Sequence, residues 1–233
     1  MLDLNHNIFT EEHNFKESFE SLNGSVPDDI PLSDQLSGIE IRLSDILIID
    51  NKTPRVWPLP GLAKIYFVNI VISDVGSEPI CLDLKSFEKV DDGDTLNVDR
   101  TLFLCKKTAD NKMPSQVHIM TSLVKSKGNL REVGKVMEEI KDDTEFKNLT
   151  GLLSVAVNTA KGISNISNVA FSTASIIGKY LGDIDDKPLL TWFQSFTDIN
   201  GDWDHVGRTE KKAENKYASM KLTTVVRDKG RGN

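Results

Sequence analysis

A chain of 233 residues, 39% hydrophobic and 27% charged, has the size and composition of one folded domain or one domain with an appendage. Its net charge of −7 disfavours a dedicated nucleic-acid binder, because affinity for phosphates comes from clustered lysine and arginine. The charge is uneven. Residues 1–50 hold eleven acidic residues against two basic ones, whereas residues 205–233 hold eight basic residues against three acidic ones.

Residues 1–37 are expected to form an acidic arm. They are polar, and Pro27 and Pro31 bracket a pair of aspartates. Three phenylalanines have a weak helical spacing, so a short docked helix and a disordered arm are both open. The sequence shows no basic region followed by an apolar run and no stretch of roughly 18 apolar residues. We therefore expect a cytoplasmic location, with export by a signal-independent route left open.

From Gly38 onward, the sequence predicts short strands divided by turns. Ile39, Ile41 and Leu43 alternate with polar residues, as in a half-buried strand. The run 64–72 is rich in β-branched and aromatic residues and is the best candidate for a central strand. The pattern favours a mainly β (α+β) fold, an antiparallel β-sandwich of about eight strands. The other predicted strands are 80–84, 101–105, 116–124, 189–196 and 218–226.

Residues 129–182 are predicted to form a helical insertion in this sandwich. The first helix would begin at Asn129, and Asp143 would lie in the break before the second. Over 149–181, polar side chains recur every three or four residues, opposite a face rich in alanine and isoleucine. This predicts a long amphipathic helix, continuous or broken near Gly162. The expected organisation is therefore an arm, a sandwich domain over 38–228 and a flexible basic tail over 229–233.

The sharpest chemical pattern is at residues 198–204. Asp198, Asn200, Asp202 and Asp204 place oxygen-bearing side chains at every second position, the spacing that wraps a chain around Ca²⁺. The segment resembles the first half of an EF-hand loop, but Trp203 stands where that loop needs glycine. The alternative is an acidic surface turn in which these side chains bind their own backbone.

Two further acidic turns are candidates for the same chemistry. Because loops gather at the two ends of a sandwich, carboxylates that are distant in sequence can meet there. In composition and strand count the chain is similar to calcium-dependent C2 domains, in which aspartates of separate loops share Ca²⁺. The resemblance implies a C2-like sandwich, with a jelly-roll-like sandwich as the other architecture, and Ca²⁺ as the one expected cofactor. The two turns contain Asp183, Asp185 and Asp186, and Asp91, Asp92 and Asp94.

The other reactive side chains are expected to be structural. Cys81 and Cys105 lie in apolar strand-like runs and are expected to be buried thiols, with a disulfide left open in an oxidising compartment. His118 lies in a predicted strand and is expected to be packed rather than to act as a base. His205 is a candidate loop ligand. The sequence contains no nucleophile elbow, phosphate loop or paired-histidine zinc motif.

The sequence therefore favours a non-enzymatic binding or structural module, tuned by Ca²⁺ through its acidic loops. It would contact a protein partner, or itself, through loop ends or the helical insertion. One alternative is a membrane-active effector that forms pores or binds a membrane surface through residues 149–181. A second is a hydrolase whose carboxylates Asp183, Asp185, Asp186 or Asp202 line a cleft. Nucleic acid is not an expected partner.

Overall fold

Eight antiparallel strands form a β-sandwich of two four-stranded sheets. The computed structural model describes residues 36–56, 61–75, 80–108, 113–127, 135, 138–148, 151, 172 and 187–228. Sheet I has the order β4-β1-β8-β7 and sheet II the order β3-β2-β5-β6, which confirms the prediction of a mainly β antiparallel sandwich. The strands are β1 (Leu36–Ile48), β2 (Ala63–Ser73), β3 (Ile80–Val90), β4 (Thr95–Lys106), β5 (Gln116–Ser126), β6 (Lys187–Thr197), β7 (Gly207–Glu214) and β8 (Ala218–Asp228).

β1 keeps its apolar side chains on one face by means of a bulge. Strict alternation after Leu43 would turn Ile46 and Ile48 toward solvent. The pairing of β1 with β4 instead shifts register between Leu43 and Asp45, and the pairing with β8 shifts between Leu43 and Ile46. Ile46 and Ile48 are therefore fully buried in the core between the sheets.

The core fills the space between the two sheets, and its members alternate along the strands that build it. β2 pairs with both β3 and β5, so it is an interior strand of sheet II, as the sequence predicts. The aromatic ring of Phe67 is fully buried and lies near the ring of Phe87, with ring centroids 6.1 Å apart. Sheet I contributes Ile39, Ile41, Leu43, Leu222 and Val226 to this core, and sheet II contributes Ile65, Phe67, Val71, Val117, Ile119 and Leu123.

The outer faces of the two sheets differ in polarity. On sheet II, the side chains of Tyr66, Val68 and Ile70 point away from the inter-sheet core but are buried as well. On sheet I, the outer face is charged, and Glu40 accepts a hydrogen bond from Arg42 at 2.6 Å. That bond is the largest cause of the lowered pKa of Glu40. Sheet I is thus solvated on its outer side, whereas sheet II is covered on both sides.

The helical insertion falls mostly outside the described residues. Residues 138–142 and 144–148 are helical, and Asp143 lies between them. Its carboxylate accepts hydrogen bonds from the backbone N–H groups of Glu145 and Phe146, at 2.8 and 3.0 Å, and so caps the second segment. Of the predicted helix over 149–181, only Gly151 and Ser172 are described, both as helical, so the long helix stays a prediction.

The structure differs from the sequence-based expectations at strand β7 and at Cys81. β7 was not predicted, because its sequence contains no large apolar side chain and its outer residues are charged and face solvent at a sheet edge. Cys105 is buried as expected, but Cys81 is exposed on the edge strand β3, and the two cysteines are not joined by a disulfide. No helix among the described residues is long and apolar enough to cross a lipid bilayer.

Candidate functional site

The predicted calcium loop is a compact turn between β6 and β7. The backbone N–H of Asp198 donates to the carbonyl of Ser115, and that of Gly201 donates to the carbonyl of Asp198, both at 3.0 Å. Gly201 has a φ of 70°, in the left-handed region that favours glycine. Asp204 folds back over Gly201, so that a Cβ at position 201 would lie 2.6 Å from Oδ2 of Asp204. The turn thus requires a glycine at this position.

Asp202 is committed to contacts within the protein. One of its carboxylate oxygens accepts a hydrogen bond from the backbone N–H of Thr197 at 2.8 Å, and the other is 3.0 Å from Nζ of Lys211. The ammonium group of Lys211 also lies 4.6 Å from the ring centroid of Phe196. A cation at Asp202 would compete with Lys211 for the same carboxylate oxygen.

Trp203 explains why this loop departs from an EF-hand. Its side chain is buried in the inter-sheet core and stacks on Phe196, with ring centroids 5.9 Å apart. Its indole Nε1 has no hydrogen-bond partner among the described residues. An aromatic side chain at this position anchors the turn to the core, so the loop has a structural role whether or not it also binds an ion.

The acidic turns do not converge. The pairing of Thr95 with Leu47 places the turn with Asp91, Asp92 and Asp94 at the carboxyl end of β1. The loop 198–204 lies at the opposite end, because Gly207 pairs with Val226. β1 has 13 residues, so the two turns are separated by roughly 40 Å of strand. Asp183, Asp185 and Asp186 lie outside the described residues. Within the described ranges, no group of three or more His, Cys, Asp or Glu side chains could hold a metal ion. Calcium binding at 198–204 stays a prediction.

His118 is packed, as expected, within a small polar cluster on the outer face of sheet II. Its Nε2 lies 3.0 Å from Oε1 of Gln116, and its Nδ1 lies 2.9 Å from Oγ of Ser195. Because the Gln116 oxygen only accepts, Nε2 carries the proton and Nδ1 accepts from the Ser195 hydroxyl. The imidazole is buried and stacks on Phe193, and this burial lowers the pKa of His118. A neutral imidazole therefore suits this site.

Asp74 holds the adjoining end of β5. Its carboxylate accepts backbone hydrogen bonds from Ser115 at 3.0 Å and Gln116 at 3.2 Å. Burial raises the pKa of Asp74, and these two hydrogen bonds oppose that rise. The arrangement joins the loop after β2 to the segment that leads into β5 and is best explained as structural support.

The opposite end of the sandwich is built around one buried asparagine. The side-chain amide of Asn51 is fully buried and donates to the carbonyls of Gly61, at 2.7 Å, and Val90, at 2.9 Å. Its side-chain oxygen accepts from the backbone N–H of Thr53 at 2.7 Å, and its backbone N–H donates to Oδ1 of Asp92 at 2.8 Å. Asn51 thus joins the β1–β2 loop to the β3–β4 turn.

Exposed apolar side chains are concentrated on the loop that Asn51 supports. Six large hydrophobic side chains are exposed among the described residues, and four of them lie between residues 47 and 62. We call these four the β1–β2 surface: Leu47 (38% exposed), Ile49 (39%), Val56 (66%) and Leu62 (42%). Single exposed apolar residues are ordinary, but a concentration on one loop is typical of a contact surface. Sequence reasoning missed this surface because exposure depends on where the strands place the loop.

Charged and aromatic groups border the β1–β2 surface. Arg55 lies 2.9 Å from a carboxylate oxygen of Asp91. Nζ of Lys52 lies 3.8 Å from the ring centroid of Tyr217 at the β7–β8 turn, and Nζ of Lys216 lies 4.8 Å from the same centroid. Exposed apolar side chains in a segment that also carries charged and aromatic groups have the chemistry of a protein-binding surface.

A separate open groove lies beside the helical residues 138–148. It has a volume of about 690 Å³, and carboxylates dominate its lining. Two of these carboxylates have local roles, since Asp143 caps a helical segment and Asp142 pairs with Lys147 at 2.9 Å. Of the aspartates proposed for a hydrolase, none lines this groove: Asp202 is at the β6–β7 loop and the others are not described. The groove therefore adds nothing to the hydrolase alternative.

Comparison with known proteins leaves the function open. No protein-family model matches the chain, and no curated protein matches it. Among solved structures, the chain is similar to human GIVD cytosolic phospholipase A2 in complex with a methyl gamma-linolenyl fluorophosphonate inhibitor and terbium chloride. The two are 6% identical, with a TM-score of 0.36, and the match covers 83% of this chain and 18% of that chain. So distant a similarity does not establish a shared function, and the strand pairing alone defines the fold given above.

Proposed function

We propose that the protein is a non-enzymatic interaction module that contacts a protein partner through the β1–β2 surface. The observation that carries this proposal is the concentration of exposed apolar side chains on one loop, at the end of a sandwich whose other described surfaces are largely polar. Val56 is the most exposed of the four. Full burial of an exposed side chain of this kind contributes about 1.5–3 kcal/mol. Leu47, Ile49 and Leu62 are already more than half buried, so each would contribute less than about half of that value.

The surface is also held in place before any partner arrives. Asn51 binds the backbone of the loop at two points, and Nζ of Lys125 donates to the carbonyl of Lys52 at 2.8 Å and to Oγ1 of Thr53 at 2.7 Å. Gly61 fits against the loop so closely that a Cβ there would lie 2.6 Å from the carbonyl oxygen of Thr53. The described parts of the loop, residues 49–56 and 61–62, would therefore lose little conformational entropy on binding, which favours their use as a contact site.

A stable interface buries about 800 Å² on each partner, and four apolar side chains alone cover less area than that. The partner would therefore also contact the border of the surface. That border consists of Lys52, Arg55 and Tyr217. Tyrosine and arginine are enriched among the residues that contribute most to binding free energy. That no disulfide joins Cys81 and Cys105 suits the reducing cytoplasm that we propose as the location.

Site-specific photo-crosslinking tests the proposal. A benzophenone amino acid in place of Val56, in the cells that make the protein, should yield a discrete adduct with one other protein. The same amino acid in place of Lys212, an exposed residue on the outer face of sheet I, is the matched control and should yield none. Adding Leu62→Asp should abolish the adduct without changing the circular dichroism spectrum. No adduct at Val56, or an equal adduct at Lys212, would refute the proposed surface.

We also propose that the insertion 129–182 supplies the predicted helices and covers the outer face of sheet II. Support comes from the buried outer side chains of Tyr66, Val68 and Ile70, and from the burial of Ile140 and Phe146 in the described helical segments. A benzophenone amino acid in place of Met120, on that same face, should crosslink within the chain to residues 129–182. A crosslink to another molecule instead would contradict this arrangement.

A further inference from the structure

The β7–β8 turn holds Tyr217 in a defined position. Its backbone N–H donates to Oδ1 of Asn215 at 2.8 Å, and its carbonyl accepts from the N–H groups of Ile49, at 2.8 Å, and Asp50, at 3.0 Å. The half-buried ring packs against the inter-sheet core. The phenol end remains open to solvent. The ring is thus fixed by the fold while its hydroxyl is accessible to a reagent.

Two ammonium groups lie against this ring from different parts of the chain. Nζ of Lys52 is 3.8 Å and Nζ of Lys216 is 4.8 Å from the ring centroid. Lys52 has a φ of 57°, which is unusual for a residue with a side chain. That conformation is held because its N–H donates to Oδ1 of Asp50 at 2.7 Å and its carbonyl accepts from Lys125. The backbone therefore directs Lys52 toward Tyr217.

The two cations favour the ionised form of the phenol. A hydrogen bond from Lys216 is the largest cause of the lowered pKa of Tyr217, and the positive charges of Lys52 and Lys216 act in the same direction. Desolvation and the charge of Asp50 oppose them. Each unit by which the pKa of a phenol falls raises its phenolate fraction at neutral pH about tenfold. The intrinsic nucleophilicity falls less steeply than this, as it does for thiolates, so the net reactivity rises.

We propose that Tyr217 is a modification site, a nucleophilic phenol that accepts a sulfonyl or phosphoryl group from an electrophilic donor. With a sulfonyl fluoride, the bond between Oη and sulfur forms, the sulfur–fluorine bond breaks, fluoride leaves and the phenol proton passes to the buffer. With a phosphoric anhydride as the phosphoryl donor, the bond between Oη and phosphorus forms as the bond from phosphorus to the bridging oxygen breaks, the departing phosphate keeps that electron pair, and the phenol proton passes to the buffer. The resulting phosphate would carry about −1.5 to −2 charges next to two lysines.

This inference does not depend on the proposed binding partner. Tyr217 borders the β1–β2 surface through its hydrogen bond with Ile49, so a charged group there would also change the chemistry of that surface. A protein that binds no partner at this surface would still have the reactive phenol, and a protein without the reactive phenol would still have the apolar surface.

Labelling of the full chain with an aryl sulfonyl fluoride at neutral pH tests the proposal, with modified residues identified by peptide mass spectrometry. Tyr217 should be labelled, whereas Tyr66, which is fully buried, serves as the internal comparison and should not be. Lys216→Met and Lys52→Met should each slow labelling of Tyr217 several-fold. Lys212→Met is the matched control and should leave the rate unchanged, because Lys212 pairs with Glu214 instead.

The pH dependence of the labelling rate distinguishes a phenol that is activated by the lysines from one that is merely exposed. The labelling rate of the wild-type chain should rise with pH and level off once the phenol is ionised, and Lys216→Met should shift that rise to higher pH. The proposal is overturned if Tyr217 is not labelled. It is equally overturned if Lys216→Met and Lys52→Met both label at the wild-type rate, because exposure alone would then account for the reaction.

Discussion

Replacing Asn51 with alanine removes the side chain that joins the β1–β2 loop to the β3–β4 turn. The change leaves the carbonyls of Gly61 and Val90 and the N–H of Thr53 without their partner, at a site where Asn51 is fully buried. A buried backbone group without a partner costs about 1–3 kcal/mol. Relaxation and water entry would relieve part of this, so we expect the free energy of unfolding to fall by about 3–5 kcal/mol.

Urea denaturation followed by circular dichroism measures this loss. For a protein of this size, each kcal/mol corresponds to about 2–4 °C, so the melting temperature should fall by about 6–20 °C. Asn97→Ala, at an exposed position of β4, is the matched control and should change the free energy of unfolding by no more than about 0.5 kcal/mol. A loss below about 1 kcal/mol for Asn51→Ala would refute the reasoning, because even one buried backbone group left without a partner should cost that much.

Further outcomes follow from individual side chains. Burial lowers the pKa of His118 below its usual 6.5, so the unfolded chain binds more protons and the free energy of unfolding should fall as pH drops through 6.5. The free energy of unfolding of His118→Gln should fall less over the same pH range, and an equal fall in both proteins would contradict this. Asp74 has a raised pKa, so it acts in the opposite direction at lower pH, but it does so equally in the wild-type chain and in the variant. Gly201→Ala should cost more than Gly93→Ala in urea denaturation. Both have positive φ and share a penalty of about 1–2 kcal/mol, but only at 201 would the Cβ meet Asp204. The calcium hypothesis predicts that millimolar Ca²⁺ raises the melting temperature of the wild-type chain but not of Asp204→Asn, and no change in either would remove it.

Local periodicity was enough to identify most of the strands. The alternation of Ile39, Ile41 and Leu43, and the β-branched run over 64–72, are properties of adjacent residues and lie in β1 and β2 as expected. β7 was missed because adjacent residues in it do not alternate between apolar and polar side chains. Its alternation has charged residues on one face and Thr209, Lys211 and Ala213 on the other, so no apolar period marks it. Only its pairing with β8 makes it a strand.

The candidate sites depended on contacts between distant parts of the chain. The spacing of Asp198 to Asp204 was read correctly as a turn, but the spacing did not reveal that Lys211 pairs with Asp202 or that Trp203 enters the core. The bulge after Leu43 likewise could not be predicted from the sequence, because the apolar run over 46–49 is continuous and fits either face of a strand.

The amino-acid sequence by itself determined that this chain is mainly β, because side-chain alternation along a strand is a local property of neighbouring residues. Tertiary structure decided which loops share an end of the sandwich, which carboxylates are already paired and which apolar side chains remain exposed. Asn51 meets Val90 and Lys52 meets Tyr217 only because the strands between them fold back and pair. Those contacts join residues far apart in the chain, so no pattern within one segment encodes them.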